Sequence, residues 1–404
     1  MSTTDSNRSI EEEEDLSSKC AGNQILNKKI LRENTELKQP LKNKCFNGGK
    51  SSNNPHNDKK KINGGSEKEI NPKNIQFIKD ILNDSFYVGN ELDNIFTVFT
   101  SYYYNIAYII YTSYNKSIIC YDLIENKKLI KIIQAHNKSI TNFRHIADEI
   151  NERDLILSLS NDDNNVKIWN FNNWQCILDL KNAYKIGKIY SSCFLNYKNN
   201  IYIIVSNNNN YLNYQPIKVF DLKGKEQKQI NDSKDKTVFI DSYYDINSEK
   251  CYIISGGRGF IKSYDFHENK EYHRYSNKKN ISIHMSIVIH KRNDIIELIE
   301  SSNDGYIRIW NFHTGEVLKK IKVSHNRLYG ICIWYDDFLL AGCKDKTIKL
   351  IDLKNEKNIK NLPGHNDRVF TIKKIILPVY GQCILSQSLL ENQIKLWSIK
   401  RNNT

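Results

Sequence analysis

Four histidines stand close together in this chain: His267, His273, His284 and His290, separated by six, eleven and six residues. Imidazoles bind metals or move protons when several converge on one face. These spacings place them on different strands and loops, so they read as solvated loop residues and no metal is expected. The nearest thing to a phosphate cradle is Ser255-Gly-Gly-Arg-Gly-Phe260. Arg258 could fork onto a phosphate or carboxylate, yet the run reads more simply as a glycine-rich turn between two strands. The GxSxG, HExxH and GxxxxGKS/T signatures do not occur, nor does a Gly-rich fingerprint between a strand and a helix. The sequence points away from an enzyme and implies no cofactor.

Composition narrows the setting. Nine cysteines (Cys20, Cys45, Cys120, Cys176, Cys193, Cys251, Cys332, Cys343 and Cys383) include no CxxC pair, which disfavours zinc ribbons and redox motifs. Most lie in apolar runs, as small buried hydrophobes of a reducing compartment. The net charge of +13 is carried mainly by Lys, which is abundant throughout together with Asn and Ile. Such an excess attracts nucleic acid or anionic lipid loosely and specifies neither. Residues 1–74 hold almost no aromatics to stack on bases, so a nucleic-acid partner stays open with no motif behind it. No apolar stretch reaches eighteen residues, and the start Met-Ser-Thr-Thr-Asp runs into Glu11 to Glu14. Neither a transmembrane segment nor a signal peptide is expected, and the protein reads as intracellular, cytoplasmic or nuclear.

The elements that must position any site begin near residue 75. Residues 1–74 are rich in Ser, Asn, Lys, Glu and Gly. They bury too little to offset their ordering entropy and read as a disordered low-complexity arm, with one short amphipathic patch from Ile25 to Leu37. From 75 to 404 the chain is a series of short apolar runs bounded by Asn, Asp, Gly or Lys. One marker recurs in it, a β-rich strand that ends in an aromatic and usually Asp or Asn. Its seven copies end on Tyr121, Trp169, Phe220, Tyr264, Trp310, Ile351 and Trp397. The first and last stand 276 residues apart over six intervals, a mean of 46, near the roughly 40–45 residues of a four-stranded propeller blade. Helical solenoids share that period but need 3.6-residue amphipathicity, which these runs lack.

In several copies the marker follows a His-containing lead-in and an Asp turn. Examples are Ala-His136 with Asn-Asp-Asp163-Asn-Asn-Val-Lys-Ile-Trp169, Ser324-His325 with Gly-Cys-Lys-Asp345, and Pro-Gly364-His365 with Trp397. Repeat five supplies Glu-Ser-Ser-Asn-Asp304-Gly-Tyr-Ile-Arg-Ile-Trp310. The pattern resembles the WD-repeat family. The resemblance covers roughly residues 92–404 and implies an all-β fold, a single seven-bladed β-propeller behind a disordered N-terminal arm. It also implies a structural hydrogen-bond relay in which a turn carboxylate, a His, a Ser or Thr and the Trp indole satisfy one another. His136, His325 and His365 would be buried members, with Asp163, Asp304, Asp345, Glu391, Trp169, Trp310 and Trp397. Repeats three and four depart from the pattern: Phe220 and Tyr264 replace Trp, and Arg258 takes the turn position. Glu391 stands where Asp is expected. Ring closure needs an outer strand for the last blade. Ile75–Asp80 and Ser85–Gly89 are available, within a closing strand placed near 75–89, and the second is slightly preferred.

Relatives of this family hold peptides or partner domains on one face of the ring, which implies a non-catalytic protein-interaction scaffold or adaptor. By the repeat alignment that face includes Lys138, Lys185, Arg258, Arg327, Lys344 and Arg368, which suits an acidic or phosphorylated partner. Two alternatives are a propeller held on anionic lipid by its basic face and an enzyme with its site in the central channel. Phosphoinositide-binding propellers carry a paired-arginine motif; here Arg258 stands alone.

Overall fold

Runs such as Tyr-Ile-Arg-Ile-Trp-Asn are too short for a stable helix and rich in the β-branched and aromatic residues that suit a pleated, buried surface. The computed structural model describes residues 71–81, 96–112, 116–132, 134–184, 187–207, 216–231, 237–276, 282–388, 391 and 393–399. Among these, the strands form seven antiparallel four-stranded sheets. Six are continuous in sequence, over residues 96–132, 142–181, 189–230, 237–275, 284–322 and 328–362. We number them blades 1 to 6. Blade 7 takes three strands from 369–399 and its fourth from Ile75–Asp80.

Each recurring marker is the third strand of its blade. Ile118–Asp122, Ile261–Asp265 and Ile348–Asp352 are buried at every position, whereas the outer fourth strand of blade 1, Lys127–Ile132, faces solvent. A strand covered on both faces reads as a continuous apolar run, a half-covered one does not. The acidic or amide residue that ends the marker caps the turn that follows. Asp122 Oδ1 accepts the Ile124 and Glu125 amides at 2.7 and 2.9 Å, and Asp352 Oδ1 those of Lys354 and Asn355 at 3.0 and 2.8 Å. Asn311 does the same for His313 and Thr314 in blade 5. These are Asx turns, the reason Asp or Asn recurs there.

A cluster of buried apolar residues fills every seam between neighbouring blades. The cluster that joins blade 7 to blade 1 sets Ile375, Leu385 and Leu396 against Phe96, Ile109 and Tyr111, so the ring is closed.

Closure falls to Ile75–Asp80, not to the preferred Ser85–Gly89, which lies outside the described residues. Ile75 pairs with Ile399 and Phe77 with Trp397, their rings 5.6 Å apart edge to face. The preceding turn is anchored to blade 6, where the Trp334 indole donates to the Pro72 carbonyl at 3.0 Å and Lys360 Nζ to Ile75 O at 3.0 Å.

Candidate functional site

In blade 2, Trp169 Nε1 donates to Ser158 Oγ at 2.9 Å, and the same hydroxyl lies 2.8 Å from His136 Nε2. Blade 7 repeats this with Trp397 Nε1 to Ser386 Oγ at 2.7 Å and His365 Nε2 at 2.7 Å. There His365 Nδ1 also bonds Glu391, whose carboxylate accepts Ser388 Oγ at 2.6 Å. Imidazole, hydroxyl and indole are buried in both blades and have few other groups to bond. The chain is a seven-bladed propeller of the WD-repeat type.

No family model matches the chain. Two proteins are similar over short stretches. The U3 small nucleolar RNA-associated protein 21 homolog of Schizosaccharomyces pombe is 24% identical over 102 residues, 25% of this chain and 11% of that protein. Myosin heavy chain kinase C of Dictyostelium discoideum is 31% identical over 75 residues, 19% of this chain and 9% of the kinase. The matched stretch spans about a tenth of each relative's length.

The propeller keeps its relay unevenly. In blade 2, His136 Nδ1 and Asp163 Oδ2 are 3.5 Å apart, too long for a good hydrogen bond, and that oxygen accepts the Asn137 amide at 2.9 Å instead. Burial, with Lys167 nearby, lowers the His136 pKa to about 4, against the pull of Asp163. In blade 7, burial pushes Glu391 up, but bonds from His365, Ser388 and the Asn366 amide outweigh it and bring the carboxyl to about 2.

Blades 5 and 6 correct the expected relay. His325 is exposed and meets no Ser–Trp pair, because Ala341 and Ile351 occupy those places in blade 6. Asp345 instead accepts Thr347 Oγ1 at 2.7 Å and bonds Lys349. In blade 5, Glu300 sits at the serine position. Its carboxylate takes His284 Nδ1 at 2.8 Å and Arg308 Nη1 at 2.8 Å, and Arg308 continues to Asp304. Trp310 Nε1 is left with no partner among the described residues. His284 is therefore a buried hydrogen-bond partner of Glu300 and not the solvated loop residue expected from its spacing. His267 is exposed, and His273 bonds the His313 carbonyl. Among the described residues no three His, Cys, Asp or Glu side chains converge as a metal site would need.

The loops before each first strand and those between second and third strands lie at one end of the ring, since successive strands alternate in direction. Lys138 of blade 2, Arg258 of blade 4 and Arg327 and Lys344 of blade 6 are exposed there, with Arg368 of blade 7 half-buried over the Phe370 ring. Lys138, Arg258 and Lys344 have no ion-pair partner among the described residues, whereas Arg327 and Arg368 make further contacts. Lys185 lies outside the described residues. Arg258 sits in the turn after Lys250–Gly257, where Gly259 takes a φ of 75°, as the strand-to-strand reading of Ser255–Phe260 requires.

Charges in the central channel were not foreseen. A cavity of about 230 Å³ is walled by the innermost strands of blades 2 to 7 and lined by Arg144, Ser191, Asp241 and Lys373 among others. Its lining comes from the beginnings of those strands, the half nearest the cationic loops. Burial and Arg144, partly offset by Asp241 and Cys332, bring Lys373 down to about 8. The alternation in Asn142-Phe-Arg144 was visible in sequence, but nothing there said which face met the channel.

The opposite end carries exposed apolar residues. Tyr102 and Tyr103 are 51% and 54% exposed, and Ile150, Ile376 and Val379 exceed 60%. The tyrosine loop is fixed by buried Asp154, which accepts Ser101 Oγ at 2.5 Å, the Tyr102 amide at 3.2 Å and His145 Nε2 at 2.7 Å.

Proposed function

We propose that this propeller is a non-catalytic platform that holds other proteins, gripping an acidic or phosphorylated segment at the end of the ring bearing Lys138, Arg258 and Lys344. The observation that carries the reading is that these cations are exposed on three blades around one channel mouth, and no carboxylate among the described residues neutralises them. Exposed, unpaired cations steer and select an anionic partner while adding little to the fold. The likeness to a U3 small nucleolar RNA-associated protein supports a nuclear setting, and no helix among the described residues is long and apolar enough to cross a membrane.

Arrays of acidic, phosphoserine and neutral peptides probed with the propeller test this. Binding should favour the first two sets and be lost in Lys138→Glu/Arg258→Glu/Lys344→Glu. Equal binding to neutral peptides contradicts it, and binding only to vesicles of anionic lipid puts the lipid reading in its place.

A further inference from the structure

Arg144 and Lys373 project from the innermost strands of blades 2 and 7 into one cavity. Neither has an ion-pair partner within 4.0 Å among the described residues. Asp241 is the one carboxylate in the lining, so a single negative charge faces two positive ones. Two like charges facing one confined channel repel. Asn142, on the same strand face as Arg144 two residues earlier, is 7% exposed. Its amide N–H groups and the hydroxyls of Ser191 and Thr371 supply neutral donors to the same space. At about 230 Å³ the cavity is smaller than the roughly 300–1,000 Å³ typical of drug-sized ligands.

We propose that this cavity is a binding site for one tetrahedral oxyanion, held between Arg144 and Lys373. A forked guanidinium and an ammonium suit phosphate chemistry, whether the group arrives as a free ion or on a serine of a docked segment. The site shares the loop end with the proposed partner surface but stands on different residues. Lys138→Ala and Arg258→Ala therefore leave it intact, and either reading can fail without the other. The groups facing Lys373 are Arg144 from blade 2, Asp241 from blade 4 and Cys332 from blade 6. Because Lys373 titrates near 8, affinity for an anion of fixed charge should fall as pH rises from 7 to 9.

Calorimetric titration of the full chain tests this with inorganic sulfate, orthophosphate and a phosphoserine peptide beside its unphosphorylated form. One saturable sulfate per chain is expected, weakened roughly tenfold or more in Arg144→Gln and in Lys373→Met. Lys373→Arg should keep binding and lose the decline between pH 7 and 9. A phosphopeptide that outcompetes orthophosphate assigns an attached phosphate as the source, and the reverse order assigns the free ion. The proposal is overturned if no anion binds saturably. It is equally overturned if Arg144→Gln/Lys373→Met, folded by circular dichroism, binds sulfate as the unaltered chain does.

Discussion

Ser386 accepts the indole N–H of Trp397 at 2.7 Å, and Trp310, at the same place in blade 5, finds Glu300 where that serine would stand. Trp397→Phe and Trp310→Phe remove similar volumes, but only the first breaks a buried hydrogen bond. Trp397→Phe should therefore destabilise by about 1–3 kcal/mol more than Trp310→Phe. Urea unfolding of the two variants checks this, and equal losses would remove the relay from the account of stability.

Glu300 is fully buried and holds both His284 and Arg308. Glu300→Ala leaves Arg308 short of a partner at 4% exposure, and the expected loss is about 3–5 kcal/mol. An effect below about 1 kcal/mol in thermal or urea unfolding would mean that Asp304 alone suffices.

Acid should weaken the fold before carboxylates matter. His136 is held neutral down to about pH 4, whereas in the unfolded chain it takes up a proton near 6.5. Its contribution is complete above about 6.5 and is lost as pH falls toward 4, with a slope of at most about 1.4 kcal/mol per pH unit. Glu391 adds a second loss, from about 4.5 toward 2. Urea midpoints between pH 6.5 and 5 should decline in the unaltered chain and decline less in His136→Gln.

Excising residues 71–81 removes the outer strand of blade 7 and uncovers the backbone edge of Ile394–Ile399 beside Trp397. An unpaired edge invites association with other chains. Aggregation and a lowered melting temperature are expected by size-exclusion chromatography and calorimetry; a monomer with unchanged melting would show that closure contributes little.

The propeller was legible because its third strands are buried on both faces and end in Asx turns, both of which leave one-dimensional marks. His136 and His365 were legible from their Ala-His and Gly-His lead-ins. His325 misled because Ser324-His325 matches the lead-in while the residues that receive it, Ala341 and Ile351, lie on other strands. The closing strand was ambiguous because Ile75–Asp80 and Ser85–Gly89 are both short apolar runs ahead of blade 1, and only pairing distinguishes them. Cys176 is exposed although it sits in a strand, since the outer strand of a blade has one open face. Arg144 and Lys373 belong to strands far apart in sequence, and only ring closure brings them to one cavity.

Affinity purification of the full chain at low and high salt, beside Lys138→Glu/Arg258→Glu/Lys344→Glu, followed by mass spectrometry, tests the central claim most directly. The account predicts a defined set of proteins that survives high salt with the unaltered chain and is absent from the equally stable variant. Recovery of the same proteins by the variant, or of nucleic acid or lipid alone that is lost as salt rises, would contradict it.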